Sequence, residues 1–221
     1  MLRLQVEVAL GDGFPETCRS ILITSTMQGE GKTTTAVNLA RANAVAGIKT
    51  LLIDADNRHP MINHVFKIDQ TPGLTEAILA GSSEKVSIQR SPIEKLDLIS
   101  AGARQEFAAE LLGSECFEQI LTSLKKTYQL IIIDSTPFGM FADSGTIARK
   151  VDATFVVFYA GKTEPRNVEK TIKGLKGLAG NVKGVILSRV SAKRHAGYTY
   201  GYHDYYASYE KHHRSDSRPE S

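Results

Sequence analysis

Residues 20–39, SILITSTMQGEGKTTTAVNL, constrain this chain more than any other stretch. The apolar run 21–23 predicts a buried strand, Gly29-Glu30-Gly31 a turn, and Lys32-Thr33 the start of a helix with Ala36, Val37, Leu39 and Ala40 on one face. Strand, glycine turn, Gly-Lys-Thr and helix in that order make a phosphate-binding loop of the Walker A kind. Glycine lets the backbone wrap closely, so that successive N–H groups converge on phosphate oxygens. The helix N-terminus adds roughly half a positive charge. Gln28, Gly29, Glu30, Gly31, Lys32, Thr33 and Thr34 are therefore expected to hold a nucleotide, with Lys32 on the outer phosphates and the Thr33 hydroxyl on Mg²⁺. Thr26 stands where such loops usually carry their first glycine, and Gly29 is expected to do that work. The plain alternative is a loop that only joins strand to helix.

The chain has 221 residues, enough for one domain with a real core, or one domain and a tail. No apolar run nears the roughly 20 residues of a membrane helix. Glu7 and Asp12 interrupt the apolar residues near the N-terminus, so no signal peptide is expected. Cys18 and Cys116 lie far apart without metal-ligand spacing, which fits reduced thiols in a cytoplasmic protein. The formal charge is only +3, with no strongly charged arm, so no nucleic-acid partner is expected.

Further strands are expected at Thr50–Asp54, 96–100, Leu130–Asp134, Ala153–Tyr159 and 182–187, those at Thr50–Asp54 and Leu130–Asp134 buried. Helical segments are expected at 1–10, from Lys32 to near Gly47, and at 60–66, 74–80, 107–112, 116–126, 143–150 and from Pro165 to near Gly177. Apolar strands alternating with helices predict an α/β fold, a mostly parallel sheet covered by helices on both faces. In such a sheet the ligand lies beyond the carboxyl ends of the strands. Residues 1–190 are expected to form this P-loop NTPase domain and 191–221 a tail.

Two of those strand ends carry acids. Asp134 follows Leu-Ile-Ile-Ile and resembles a Walker B carboxylate, expected to hold Mg²⁺. Asp54-Ala55-Asp56-Asn57-Arg58 closes the second strand. Carboxylates gathered beside Asp134 would repel one another unless Lys32 or a bound cation sat among them. The plain alternatives are a turn-capping aspartate and a solvated acidic turn.

Six of the eight tyrosines, Tyr198, Tyr200, Tyr202, Tyr205, Tyr206 and Tyr209, crowd one stretch of the tail. Aliphatic residues are almost absent there, so the segment is expected to be disordered. From Ser191 on, five Lys/Arg face four acids, a charge of +1 that gives little attraction to a polyanion. Six accessible phenols instead suit phosphoacceptors. The tail follows a strand that ends on the catalytic rim, and Tyr209 can reach roughly 65 Å from Val190 when extended.

With the P-loop, Asp-x-Asp-x-Arg, Ile-Ile-Ile-Asp-Ser-Thr-Pro, Ala109-Glu110-Leu111-Leu112-Gly113-Ser114 and the tyrosine cluster together, the chain resembles the bacterial tyrosine kinases of exopolysaccharide and capsule synthesis. The resemblance implies a fold like that of the MinD/ParA ATPases. It implies ATP and Mg²⁺ as co-substrate and cofactor, with autophosphorylation of the tail in trans. It also implies a membrane-embedded polysaccharide co-polymerase as activator, a homo-oligomer that can be a ring, a cognate tyrosine phosphatase, and a place at the inner face of the cell membrane. On this resemblance Lys32, Asp54, Asp56 and Asp134 are the catalytic set, with Asp54 as proton acceptor. Thr33, Asp56 and Asp134 hold the metal, and Arg58 meets the nucleotide, an incoming tail or a neighbouring subunit. Met27 replaces the signature lysine of MinD/ParA proteins, which favours the kinase over a switch ATPase without kinase activity. Arg3 alone corresponds to the end of the family's Glu-x-x-Arg-x-x-Arg helix, and Ser188-Arg189 replaces a base-contacting asparagine.

Overall fold

The computed structural model describes residues 1–11, 14–82 and 85–190, so the expectations for the tyrosine cluster lie outside the described residues. Residues Met1–Ser188 form one compact unit. Its elements run α1 (Leu2–Leu10), β1 (Arg19–Ser25), α2 (Lys32–Val45), β2 (Thr50–Asp54), α3 (Ile62–Phe66), α4 (Leu74–Leu79), β3 (Gln89–Arg90), β4 (Leu96–Ile99), α5 (Ala108–Gly113), α6 (Glu115–Leu124), β5 (Leu130–Asp134), α7 (Asp143–Ala148), β6 (Ala153–Tyr159), α8 (Pro165–Gly177) and β7 (Val182–Ser188).

The sheet order is β3-β4-β2-β5-β1-β6-β7. Every pairing is parallel except β3 with β4. The parallel, doubly covered sheet expected from the apolar strands is therefore present. Alternate residues of each central strand feed opposite layers, as the strand period requires. Leu51, Ile53, Ile131 and Ile133 join Phe117, Ile120 and Leu121 of α6 on one face. Leu52, Leu130 and Ile132 join Val37, Leu39 and Ala40 of α2 on the other, with Val6 and Leu10 of α1.

Chain order places the site. From β1 the chain crosses to β2 and β4 on one side, returns to insert β5 between β2 and β1, then continues to β6 and β7 on the other side. The reversal brings the carboxyl ends of β2, β5 and β1 together, the position where open α/β sheets bind ligands. Register makes this specific: Asp54 is the partner of Asp134 across β2 and β5, and Ile23 of β1 pairs with the same Asp134. Among the described residues, no helix is long and apolar enough to cross a membrane.

Candidate active site

The loop between β1 and α2 turns on two glycines with left-handed backbone, Gly29 (φ 82°) and Gly31 (φ 93°). Gly31 also sits where an added Cβ would meet the Ser188 side chain at 3.4 Å. It caps the 14-residue α2, whose first residue is Lys32. The free amides of that helix start therefore face the strand ends where the aspartates lie. Thr26 does not share the left-handed conformation, which is why a β-branched residue fits where a glycine was expected.

Lys32 Nζ lies 2.8 Å from Asp56 Oδ2 and 3.4 Å from the Thr33 hydroxyl. Burial would lower its pKa, but Asp134, Asp56 and Asp54 together outweigh that and hold the ammonium charged. The Asp56 Oδ1 accepts from His59 N–H at 3.0 Å.

Asp54 is fully buried. Its Oδ1 accepts from Asp56 N–H, and its Oδ2 from Met61 and Ile62 N–H, each at 3.0 Å. A carboxylate has about four lone-pair sites, so one remains. Burial first, then the Asp134 charge, pushes the Asp54 carboxyl up toward neutrality, against the three N–H groups. Asp134 is as deeply buried and is raised for the same first reason, with Lys32 opposing. Among the described residues, neither of its carboxylate oxygens has a hydrogen bond of normal geometry. A buried carboxylate left so is costly unless it meets a cation.

Lys32, the Thr33 hydroxyl and the Ser135 N–H only partly offset the burial of the two Asp134 oxygens, which leaves them able to take Mg²⁺. Together with Asp56 and the Thr33 hydroxyl these oxygens supply hard donors suited to that ion, beside a loop suited to its phosphate partners. Lys32, Thr33, Asp54, Asp56 and Asp134, expected from sequence as one site, are brought together.

Arg58 is drawn toward a different neighbour. Its Nε donates to Asp143 Oδ2 at 3.1 Å, and its guanidinium stacks 4.4 Å over Phe141. This ties the segment after β2 to the segment after β5. Glu30 also turns its side chain into the protein, accepting from Thr26 and Met27 N–H. Sequence reasoning missed Asp143, Phe141 and the inward role of Glu30. Asp143 opens a helix it was expected to open, but no spacing rule links it to Arg58, 85 residues away.

The chain matches the AAA domain family model over residues 18–151. It is 33% identical over 199 residues to the tyrosine-protein kinase YwqD of Bacillus subtilis (strain 168), covering 90% of this chain and 83% of that protein. The solved kinase domain of the Escherichia coli tyrosine kinase ETK is similar with a TM-score of 0.81 and 27% identity, over 91% of this chain and 78% of that one. The cell division ATPase MinD of Pyrococcus furiosus is similar in fold, with a TM-score of 0.65 at 22% identity over 76% of this chain and 71% of that one.

Proposed function

The chain belongs to the bacterial tyrosine-protein kinases, and on that premise we propose that it transfers the γ-phosphoryl group of ATP to tyrosines of its own C-terminal cluster, in trans between copies. The observation that carries the reading is the register of β2 against β5, which sets Asp54 beside Asp134 at the strand ends nearest the Lys32 loop.

A tyrosine phenol with a pKa of about 10 is only about 0.1% ionised at pH 7. A base must take its proton as the new P–O bond forms. Asp54 has a free lone pair and a carboxyl shifted toward neutrality, the range in which a general base works best at physiological pH. Lys32 exchanges Asp56 for phosphate oxygens when ATP enters, which frees the Asp56 carboxylate. Thr33, Asp56 and Asp134 would then hold Mg²⁺. The ion supplies neutralisation of charge on the transferring and leaving phosphates. Lys32 and the amides of Gly29 to Thr34 stabilise the same charge from the other side. Arg58, through Asp143 and Phe141, keeps the Asp54–Asp56 segment in place against the strand end of Asp134.

The tyrosines from Tyr198 to Tyr209 serve as acceptors. Control of exopolysaccharide or capsule polymerisation and export follows on this reading. The kinase works at the inner face of the membrane with a co-polymerase activator, assembles with its own copies and is reset by a tyrosine phosphatase. Incubation of the intact chain with [γ-³²P]ATP and Mg²⁺ tests the activity. Label on phosphotyrosine is expected, Lys32→Met removes it, and a Lys32→Met chain becomes labelled when mixed with active copies. Absence of tyrosine label from the intact chain, with or without its activator, contradicts the reading.

A further inference from the structure

We propose that the Glu30 side chain is a positioning residue that sets the shape of the nucleotide loop from within the protein, and that Thr163 is its anchor. The inference rests on the kinase reading above. Glu30 lies between the two loop glycines, yet it is only 5% exposed. Its Oε2 accepts from Thr26 N–H at 2.8 Å and Met27 N–H at 2.9 Å. Its Oε1 accepts from the Thr163 hydroxyl, in the turn between β6 and α8. That hydroxyl oxygen in turn accepts from Tyr159 N–H at 3.0 Å. The Glu30 carbonyl accepts from the Ser188 hydroxyl at 2.6 Å, and the Thr26 hydroxyl shares a 3.0 Å hydrogen bond with Thr171 of α8. The end of β1, the turn after β6, α8 and the end of β7 therefore all meet on one short loop.

The physical consequence is a division of the loop amides. Thr26 and Met27 N–H are satisfied by Glu30, so the amides left for phosphate begin at Gln28. The same bonds hold a negative charge on the protein side of a loop that must receive a polyanion. A carboxylate freed from them would both release two amides and bring its charge to the triphosphate. The geometry also accounts for Thr26 in place of glycine. The first turn of the loop is shaped by a side chain across it rather than by a left-handed residue.

The test is steady-state kinetics of the full chain with Mg-ATP and a tyrosine peptide, with a fluorescent ATP analogue for direct binding. Glu30→Gln and Thr163→Val should each raise KM for ATP and weaken analogue binding about tenfold or more. The KM for peptide should stay within about threefold of wild type, while kcat falls no more than the ATP affinity does, since the same loop amides face the transferring phosphate. Thr163→Ser keeps the hydroxyl and should restore wild-type values. Thr163 is given no contact with nucleotide, so its effect would have to travel through Glu30. Variants that keep the wild-type KM for ATP overturn the inference. So do variants that lose only kcat, the pattern of a smaller folded fraction. A wild-type chain that neither binds the analogue nor labels tyrosine would contradict the kinase reading itself, a result distinct from the first two.

Discussion

At the scale of single residues, Asp134 holds the sharpest conflict between stability and function. Its carboxylate is fully buried beside two other acids, and that burial outweighs the help of Lys32, Thr33 and Ser135, so its pKa is held above the ordinary carboxylate range. Removing that charge should relieve the nucleotide-free protein, because burial is what disfavours the charged form. Asp134→Asn is expected to raise the melting temperature without nucleotide, by about 2–4 °C for each kcal/mol gained, while tyrosine labelling is lost. Calorimetry and labelling on the same preparation check both halves. Gly139 gives a second residue-level test. A Cβ there would lie 2.4 Å from the Thr26 carbonyl, which is backbone and cannot swing aside. Gly139→Ala should therefore displace the nucleotide loop and weaken ATP binding, at a stability cost of about 1–3 kcal/mol, measurable by analogue titration and chemical denaturation. That Lys32, Thr33, Asp54, Asp56 and Asp134 come together at the strand ends was legible in sequence because each sits at a fixed offset from a strand or glycine turn. Arg58 with Asp143 and Glu30 with Thr163 were not, since each pair joins positions that only the fold brings together.

At the scale of elements, the buried strands were the most legible. β2, β5 and β6 have the bounds that their apolar runs predict, because a strand covered on both faces needs an unbroken hydrophobic run. β1 runs from Arg19 to Ser25, well beyond the expected core of three residues. Its polar ends are buried but satisfied: Ser20 N–H and hydroxyl donate to Asp152 at 2.7 and 2.8 Å, and the Thr24 hydroxyl donates to the Thr136 carbonyl at 2.8 Å. β3 was missed. It is a two-residue antiparallel edge strand and carries no periodicity to read. Asp152 joins three elements, since Lys125 after α6 also donates to it at 2.8 Å. Burial alone would raise its carboxyl, but the Lys125 and Ser20 hydrogen bonds outweigh burial and hold it below the ordinary range. The sign follows from that. The contribution is present at neutral pH, above the unfolded pKa, and is lost as pH falls through the lower folded value. Asp152→Asn should lower stability at pH 7, and the gap to wild type should close in acid below about pH 4, as read by thermal melts across pH. Packing of α6 gives a larger effect. Phe117 is fully buried between that helix and the sheet, so Phe117→Ala should cost about 3–5 kcal/mol in denaturant unfolding.

At the scale of the whole molecule, the topology turns three sequence-distant strand ends into one site. The switch in strand order is the reason a loop near residue 30 can meet carboxylates at 54 and 134. The fold class was legible because alternation of strands and helices leaves few other arrangements. The insertion of β5 between β2 and β1 was not, since strand order depends on packing that no single segment encodes. Charge gives a prediction at this scale. Each phosphate adds about −1.5 to −2, so six on the tyrosine cluster would move the +1 tail to roughly −8 to −11. Copies held near one another should then repel. Light scattering at physiological salt should find a smaller assembly after Mg-ATP than before, and an unchanged size would refute that form of regulation. The central claim is that a lysine and three strand-end aspartates drive phosphate onto the chain's own phenols. Mass spectrometry of the intact chain, with phosphate mapped to residues before and after Mg-ATP, tests it most directly. Phosphate is expected on tyrosines between Tyr198 and Tyr209, and none on the Lys32→Met chain alone. Phosphate on none of these tyrosines, with activator present, would contradict it.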